Sequence, residues 1–340
     1  MTFEGDLSWH SYCVMILLLV TLWGCGSDDT DQEVNPERVL DEGRVDLLAP
    51  EPYIFPASIG PDSPTVSLVL RRWDLIFTGG YRPPLDKDSA IETTVADLIP
   101  GPFDHIMVYL GKDDAGRAYA AELNVDSLSR GLLDVSVQGD LRVYCLGFDG
   151  GNEPHPSGAH LFDPNYYRSR WALTPVPELR SRLLAHDIEL LDALRTDLAA
   201  GFPYQLEVET FLPSIQATGE LRLVDDGRRN GAGCSDYWTS LFEDVASVCW
   251  PGVRISAAEL INYFRTDPVG RDAMAPAVFN PFGNTPVRVG ALLDQGLTVV
   301  PAPPHNFPCE VPSEQGLVTP TRLFSSNLLQ EPETVMTPSE

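Results

Sequence analysis

Short apolar runs bounded by turn residues dominate the middle of the chain, and they predict β-strands. Five such runs lie at 65–70, 73–78, 106–110, 117–124 and 141–146. Asp113-Asp-Ala-Gly separates the third run from the fourth and is typical of a hairpin turn, which predicts that these two strands are antiparallel neighbours.

Longer stretches with an apolar period near 3.6 predict helices. In residues 177–200 one face carries Leu184, Ile188, Leu191, Leu194 and Leu198, and Gly201 stands where a helix usually ends. A second stripe consists of Trp238, Leu241, Phe242, Val245 and Val248. A third helix is predicted at 256–264, where Ser256 and Glu259 form a capping box. Strands followed by helices predict an α+β fold, with an antiparallel sheet packed against the second helix.

The N-terminus differs from the rest of the chain. An apolar run at 14–24 has the length of a signal-peptide core and is too short to span a bilayer comfortably. Leu22-Trp23-Gly24-Cys25 follows and resembles a bacterial lipobox, although residues 1–13 contain no Lys or Arg. We therefore predict a lipoprotein signal peptide at 1–24 and a membrane anchor on Cys25. The mature chain would face the periplasm or the exterior. The alternative is a short buried or membrane-proximal apolar segment.

The net charge of the chain excludes some classes of binding partner. The chain carries 49 acidic and 23 basic side chains, for a net charge of −26. Nucleic-acid binding requires clustered positive charge, so we expect no nucleic-acid partner. Residues 25–62 are acidic and weakly periodic, which predicts a flexible tether.

Cys234 is the first candidate for chemistry. It follows a glycine-containing run and begins the second predicted helix, where the unpaired N–H groups and the helix dipole favour a thiolate and an oxyanion. The alternative is a free cysteine that packs as a small apolar side chain.

A cysteine nucleophile needs a base and a group that orients the base. Of the six histidines, His105 lies at the entry of a predicted strand, where a scaffold can hold it rigidly. Glu122 lies on the strand expected to pair with it, where a carboxylate could fix the imidazole tautomer.

The order of these parts resembles the permuted papain-like cysteine hydrolases of the YiiX/YaeF type, relatives of the NlpC-type peptidoglycan peptidases. The matching segments are Trp73-Asp-Leu-Ile-Phe77, Asp104-His-Ile-Met-Val108, Ala121-Glu122, Gly201-Phe-Pro-Tyr204 and Cys234-Ser-Asp236, within about residues 65–265. The resemblance implies a circularly permuted papain-like fold, with Cys234 as nucleophile, His105 as base and Glu122 as the orienting residue. Tyr204 would line the substrate cleft; its alternative is a core aromatic.

The implied activity is hydrolysis of an amide bond in cell-wall peptide, or of a lipid-linked amide or ester, without a cofactor. Gly233 stands where the family has an aromatic residue. This departure keeps a second hypothesis open, namely a non-catalytic envelope binding or scaffold lipoprotein that retains the fold.

The remaining expectations concern organisation and metal binding. We predict a papain-like domain at 63–270 and a partly disordered, Pro-rich extension at 271–340, with Cys249 and Cys309 as a plausible disulfide pair. His155, His160 and Asp163 match no standard metal-site spacing, so no metal is expected.

Overall fold

The computed structural model describes the strands, helices and connections that surround the candidate site. The described residues are 45–60, 62–80, 101–130, 135–148, 159–162, 167–202, 220–222, 234–255, 257–268, 274–275, 287–288, 291, 294, 298–300 and 317–335. All of them belong to one compact unit, Pro36–Glu340.

The strands are β1 (Tyr53–Ala57), β2 (Val66–Leu70), β3 (Leu75–Gly79), β4 (His105–Lys112), β5 (Ala118–Arg130), β6 (Val135–Gly147), β7 (Ser169–Pro175), β8 (Glu220–Arg222), β9 (Arg254–Ile255), β10 (Met274–Ala275), β11 (Val287–Arg288), β12 (Thr298–Val300), β13 (Leu317–Val318) and β14 (Leu329–Gln330). The helices are α1 (Ala159–Phe162), α2 (Pro177–Ala185), α3 (Asp187–Ala200), α4 (Cys234–Ala246), α5 (Ala257–Thr266) and α6 (Pro320–Phe324), and Val45–Leu47 forms a 3-10 turn.

A six-stranded sheet with the order β14-β7-β3-β4-β5-β6 organises the fold, and every neighbouring pair in it is antiparallel. The predicted hairpin is confirmed, since β4 and β5 pair across the Asp113–Gly116 turn. The α+β class predicted from the sequence is therefore confirmed.

Each face of the sheet packs against a different layer, because alternate side chains along a strand point to opposite faces. Ile106, Val108 and Leu110 of β4 share one core with α2, α3 and α4. Met107 and Tyr109 lie in a second core with the β1–β2 hairpin. The sheet is thus buried on both sides, which explains the continuous apolar run of β4.

Helix α4 anchors the first of these cores. Its buried side chains include Tyr237, Trp238, Leu241 and Phe242, all fully enclosed. Complete burial of a side chain of this kind contributes about 1.5–3 kcal/mol relative to exposure. The predicted stripe is confirmed for Trp238, Leu241 and Phe242, whereas Val248 is buried but lies beyond the helix end at Ala246. These side chains fix the helix, with Cys234 at its start, against β4 and β5.

The single helix predicted at 177–200 is wrong. The chain leaves helical geometry at His186 (φ −114°, ψ 25°), so α2 and α3 are separate. The Asp187 carboxylate at the start of α3 accepts hydrogen bonds from Arg72 Nη1 at 2.7 Å and Trp73 Nε1 at 2.8 Å. These hydrogen bonds anchor the start of α3 to the residues directly before strand β3. As a result Leu184 and Ile188 of the predicted stripe are exposed, at 46% and 73%.

Segments at both ends of the chain join this architecture. Residues 53–57, which the sequence analysis assigned to the tether, form β1, and residues 329–330 of the predicted extension form the edge strand β14. Gly201 takes the left-handed conformation expected of a helix end, with φ 65°. Among the described helices, none has the length and apolar character needed to cross a membrane.

Candidate functional site

His105 is the first residue of β4 and lies between two neighbouring strands. It pairs with Thr78 of β3, and two residues further along, Met107 pairs with Glu122 of β5. Because the period of a strand is two, His105 and Met107 share a face, and Glu122 therefore lies diagonally across from His105 on that face. The strand register alone brings together two residues that are 17 positions apart in the chain.

A short hydrogen bond joins these two side chains. The His105 Nε2–H donates to Glu122 Oε2 at 2.7 Å. Glu122 is fully buried and His105 is 9% exposed, so the bond is shielded from water. The bond fixes the tautomer and the orientation of the ring, and it leaves Nδ1 as the nitrogen available to another partner.

Cys234 is the first residue of α4 and approaches His105 from the start of that helix. Its Sγ lies 4.0 Å from the carbonyl oxygen of Asp104, the residue before His105. Cys234 also interacts electrostatically with the His105 imidazole, whose Nδ1 is not occupied by Glu122. Cys234 is free and 5% exposed, so the structure brings the three predicted residues into one cluster.

The charges in this cluster act on His105. Burial opposes a charge on the imidazole, but the electrostatic interactions of the ring with Cys234 and with the Glu122 carboxylate outweigh burial and raise the pKa of His105 well above its ordinary value of 6.5. The His105 imidazole therefore favours its protonated form beside the Glu122 carboxylate and the Cys234 side chain. This arrangement can supply a thiolate to an electrophile and a proton to a leaving group.

Hydrogen bonds from the C-terminal segment fix the start of α4. Ser235 Oγ donates to the Val318 carbonyl oxygen at 2.6 Å, and the Val318 N–H donates to Asp236 Oδ1 at 3.2 Å. Three residues later, Thr321 Oγ1 accepts a hydrogen bond from the Phe103 N–H at 3.1 Å and donates to the Phe103 carbonyl oxygen at 3.0 Å. One segment thus contacts both the helix that carries Cys234 and the entry to the strand that carries His105.

Sequence reasoning missed Tyr144 and Arg142 of β6. In the β5–β6 register Ala120 pairs with Tyr144 and Glu122 pairs with Arg142, so both side chains lie on the face that carries Glu122. The Tyr144 hydroxyl hydrogen-bonds the Glu122 carboxylate, and Arg142 hydrogen-bonds Tyr144. The alternation of side chains along 141–146 was the available signal, because it places Arg142 and Tyr144 on one face of a strand. Their position beside Glu122 becomes evident only when the registers of the β4–β5 and β5–β6 pairs are known.

Thr78 is a second residue that the sequence did not single out. Its Oγ1 is buried and has no hydrogen-bond partner in the part of the chain that the structure describes. Because Thr78 pairs with His105, this hydroxyl lies directly beside the cluster.

The other predicted site residues lie outside the described part of the chain. They are Tyr204, Cys25, Cys309, His155 and Asp163; His160 lies in α1, but its side chain is not described. Within the described residues no group of His, Cys, Asp and Glu side chains could hold a metal ion. Cys249 is disulfide-bonded, whereas Cys145 and Cys234 are free. Its pairing with Cys309 stays a prediction.

The fold and the site together define an α+β protein with a buried cysteine–histidine–glutamate cluster where a helix start meets a sheet. No protein-family model, no curated protein and no solved structure matches the chain significantly.

Proposed function

We propose that this protein is a cysteine hydrolase of the permuted papain-like type that cleaves an amide bond through a thioester acyl-enzyme. The observation that carries the proposal is the contact of His105 with both Cys234 and Glu122. A nucleophile, a base and a residue that orients the base are the minimum set for this chemistry.

Backbone geometry near β3 supports the resemblance to that family. The family motif has a glycine at the position of Trp73, and Trp73 has φ 71°, in the left-handed region that glycine adopts most easily. The Trp73 side chain is held by its bond to Asp187 and by an edge contact with the Phe242 ring, with 5.8 Å between centroids. These contacts stabilise a conformation that costs about 1–3 kcal/mol for a residue other than glycine.

The reaction uses the three side chains in sequence. The Cys234 thiolate adds to the substrate carbonyl carbon, and N–H groups at the start of α4 stabilise the oxyanion. The tetrahedral intermediate expels the amine, which takes the proton from His105, and a thioester remains on Cys234. His105 then removes a proton from water, hydroxide adds to the thioester, and the carboxylic acid leaves as the thiolate reforms.

The proposed location is the cell envelope, with the chain attached to a membrane through lipidated Cys25. The sequence at 14–25 supports this location, and so does the disulfide at Cys249, because disulfides persist in oxidising compartments. Cell-wall peptide is the substrate class that this compartment offers, and an acylated lipid with an amide or ester bond is the second.

An activated ester such as p-nitrophenyl acetate tests the proposal without knowledge of the natural substrate. We expect a burst of nitrophenolate, and peptide mapping should find one acetyl group on Cys234. Cys234→Ala should abolish both, and His105→Asn should slow the acylation about a hundred-fold or more.

Cys145→Ala is the matched control, because Cys145 is the other free cysteine among the described residues. It is fully buried, and burial raises the pKa of its thiol to about 11. The substitution should leave acylation unchanged. Steady hydrolysis of the ester and of cell-wall peptide by Cys234→Ala would contradict the proposal. A wild-type Cys234 that is not acylated would instead favour a scaffold protein that retains the fold.

A further inference from the structure

Three features near the cluster have no role in the proposed reaction: the unpartnered Thr78 hydroxyl, the segment 318–321, and the Tyr144–Arg142 pair on β6. The last of these contacts the group that orients the base. It therefore carries an inference about how the site works.

We propose that Tyr144 is a positioning residue that holds the Glu122 carboxylate against His105. This inference rests on the proposed function. It extends the cluster by one hydroxyl, in the order Cys234, His105, Glu122, Tyr144.

The register of the sheet supplies the geometry. Tyr144 pairs with Ala120, two residues before Glu122 on the same face of β5, so its ring extends diagonally toward Glu122. A diagonal neighbour on an antiparallel pair lies within reach of an aromatic side chain. Glu122 is fully buried, so a carboxylate there must find donors within the protein.

Glu122 has two identified donors, and they lie on opposite sides of it in the sheet. His105 Nε2 donates from β4 at 2.7 Å, and the Tyr144 hydroxyl hydrogen-bonds the carboxylate from β6. A carboxylate held from both sides cannot rotate away from the imidazole without breaking one of these bonds. Removal of the Tyr144 hydroxyl removes the bond that holds the carboxylate from the β6 side.

The orientation of the Tyr144 hydroxyl, and its role as a hydrogen-bond donor, are also fixed. Arg142 hydrogen-bonds Tyr144, and it forms an ion pair with Asp140 on the same strand. Burial and the nearby Glu122 charge raise the pKa of Tyr144, so the phenol stays protonated and acts as a donor across the physiological range.

The charged and titratable groups around Glu122 come from three elements. They are His105 on β4, Tyr144 and Arg142 on β6, and, across the imidazole, Cys234 on α4. Of these, only the hydroxyl of Tyr144 can be removed without a change in formal charge or in ring packing, which makes Tyr144→Phe the informative variant.

NMR titration of the His105 ring in the full-length protein tests the inference directly. In Tyr144→Phe the carboxylate turns away from the ring for part of the time, so the pKa of His105 should fall by an amount on the order of one unit. The rate of Cys234 alkylation near neutral pH should fall severalfold. In a Glu122→Gln background, which lowers both quantities by itself, Tyr144→Phe should have no further effect.

Tyr119→Phe is the matched control. Tyr119 lies on the neighbouring strand, packs in the opposite core and donates its hydroxyl to Asp113 Oδ2 at 3.0 Å. The Tyr119→Phe substitution should leave the pKa of His105 unchanged.

Two outcomes overturn the inference: an unchanged or higher His105 pKa in Tyr144→Phe, or an equal effect of Tyr144→Phe with and without the Glu122 carboxylate. Neither depends on hydrolysis. Failure of the proposed function appears instead as a wild-type Cys234 that is not acylated, whatever the titration of His105 shows.

Discussion

At the scale of single residues, the cluster depends on burial and charge acting against each other. Glu122 and His105 are almost completely removed from water, which disfavours charge on either one. The short bond between them and the adjacent Cys234 side chain compensate for this, and the result is an imidazole whose pKa is raised rather than lowered. Removal of one partner is expected to affect the others, because the three side chains interact electrostatically.

Thr78→Val is expected to stabilise the protein. The Thr78 hydroxyl is buried and has no hydrogen-bond partner in the described structure, and a buried unpaired polar group costs about 1–3 kcal/mol. The free energy of unfolding, measured by urea denaturation, should therefore rise by about 1 kcal/mol.

Thr174→Val provides the comparison on the adjacent strand β7. The Thr174 hydroxyl donates to Asp74 Oδ1 at 2.7 Å, and the Asp74 side chain is buried, so this variant should destabilise by about 1–3 kcal/mol. Equal changes in the two variants would contradict the assignment of Thr78 as unsatisfied.

The sequence predicted three members of the cluster because their residue types and element positions are visible in a linear pattern. Cys234 begins an amphipathic helix, and His105 and Glu122 lie on runs separated by a hairpin turn. Tyr144 and Thr78 could not be predicted in the same way. Their proximity to the site depends on strand register, which is set by tertiary packing rather than by local sequence.

At the scale of elements, the start of α4 and the entry to β4 are both anchored by the segment 317–324. Besides its hydrogen bonds to Ser235, Asp236 and Phe103, this segment packs the Phe324 ring on the Phe103 ring, with 4.4 Å between centroids. Gly101 has φ 107° and lies so close to Thr321 that a Cβ would overlap its side chain. The C-terminal segment therefore stabilises the relative position of the helix that carries Cys234 and the strand that carries His105.

Thr321→Val tests this role. It removes both hydrogen bonds to Phe103 and should destabilise the protein by about 1–3 kcal/mol. Cys234 alkylation near neutral pH should also slow, because the strand entry at Asp104–His105 is no longer held against the helix start.

Ser325→Ala is the control, since its exposed hydroxyl donates to the Thr321 carbonyl oxygen at 2.9 Å and, among the described residues, has no bond to either element of the cluster. A change within about 0.5 kcal/mol is expected for this surface substitution. If both variants alkylate at the wild-type rate, the segment has no positioning role.

Helices and strands were predicted well where the local sequence pattern determines them. They were predicted poorly where contacts between residues distant in the chain determine them. The β4–β5 hairpin and α4 carry strong periodicity and agree with the structure. The break between α2 and α3 depends on the bonds of Asp187 to Arg72 and Trp73, more than 100 residues away in the chain. Strand β14 has two residues, too few for a period, and exists because it pairs with β7.

At the scale of the whole molecule, an acidic chain encloses a buried cysteine–histidine–glutamate cluster where a helix start meets a sheet. The net charge of −26 disfavours anionic partners and gives no indication of the site, because the cluster is buried. The disulfide at Cys249, which follows α4 closely, adds a covalent restraint to that layer. A native disulfide contributes about 2–4 kcal/mol to stability.

Peptide mapping without reduction should find Cys249 linked to Cys309, with Cys145 and Cys234 as free thiols. This link would tie the region after α4 to the Pro-rich extension and restrain the segment that leads to 317–324. Recovery of Cys249 as a free thiol from the exported protein would contradict both the link and the oxidising compartment.

The central claim is that Cys234 and His105 form a reactive pair, and the pH dependence of Cys234 alkylation by iodoacetamide tests it most directly. Because the pKa of His105 is raised above 6.5 in the folded protein, its proton persists across neutral pH. The proposed ion pair of this imidazolium with the Cys234 thiolate requires the proton, so we expect it at lower pH and expect its loss as the pH rises through the raised pKa of His105. Wild-type Cys234 should therefore react at least about ten-fold faster than Cys234 in His105→Asn at pH 6, and the difference should vanish at high pH. Equal rates in the two proteins at every pH would contradict the account.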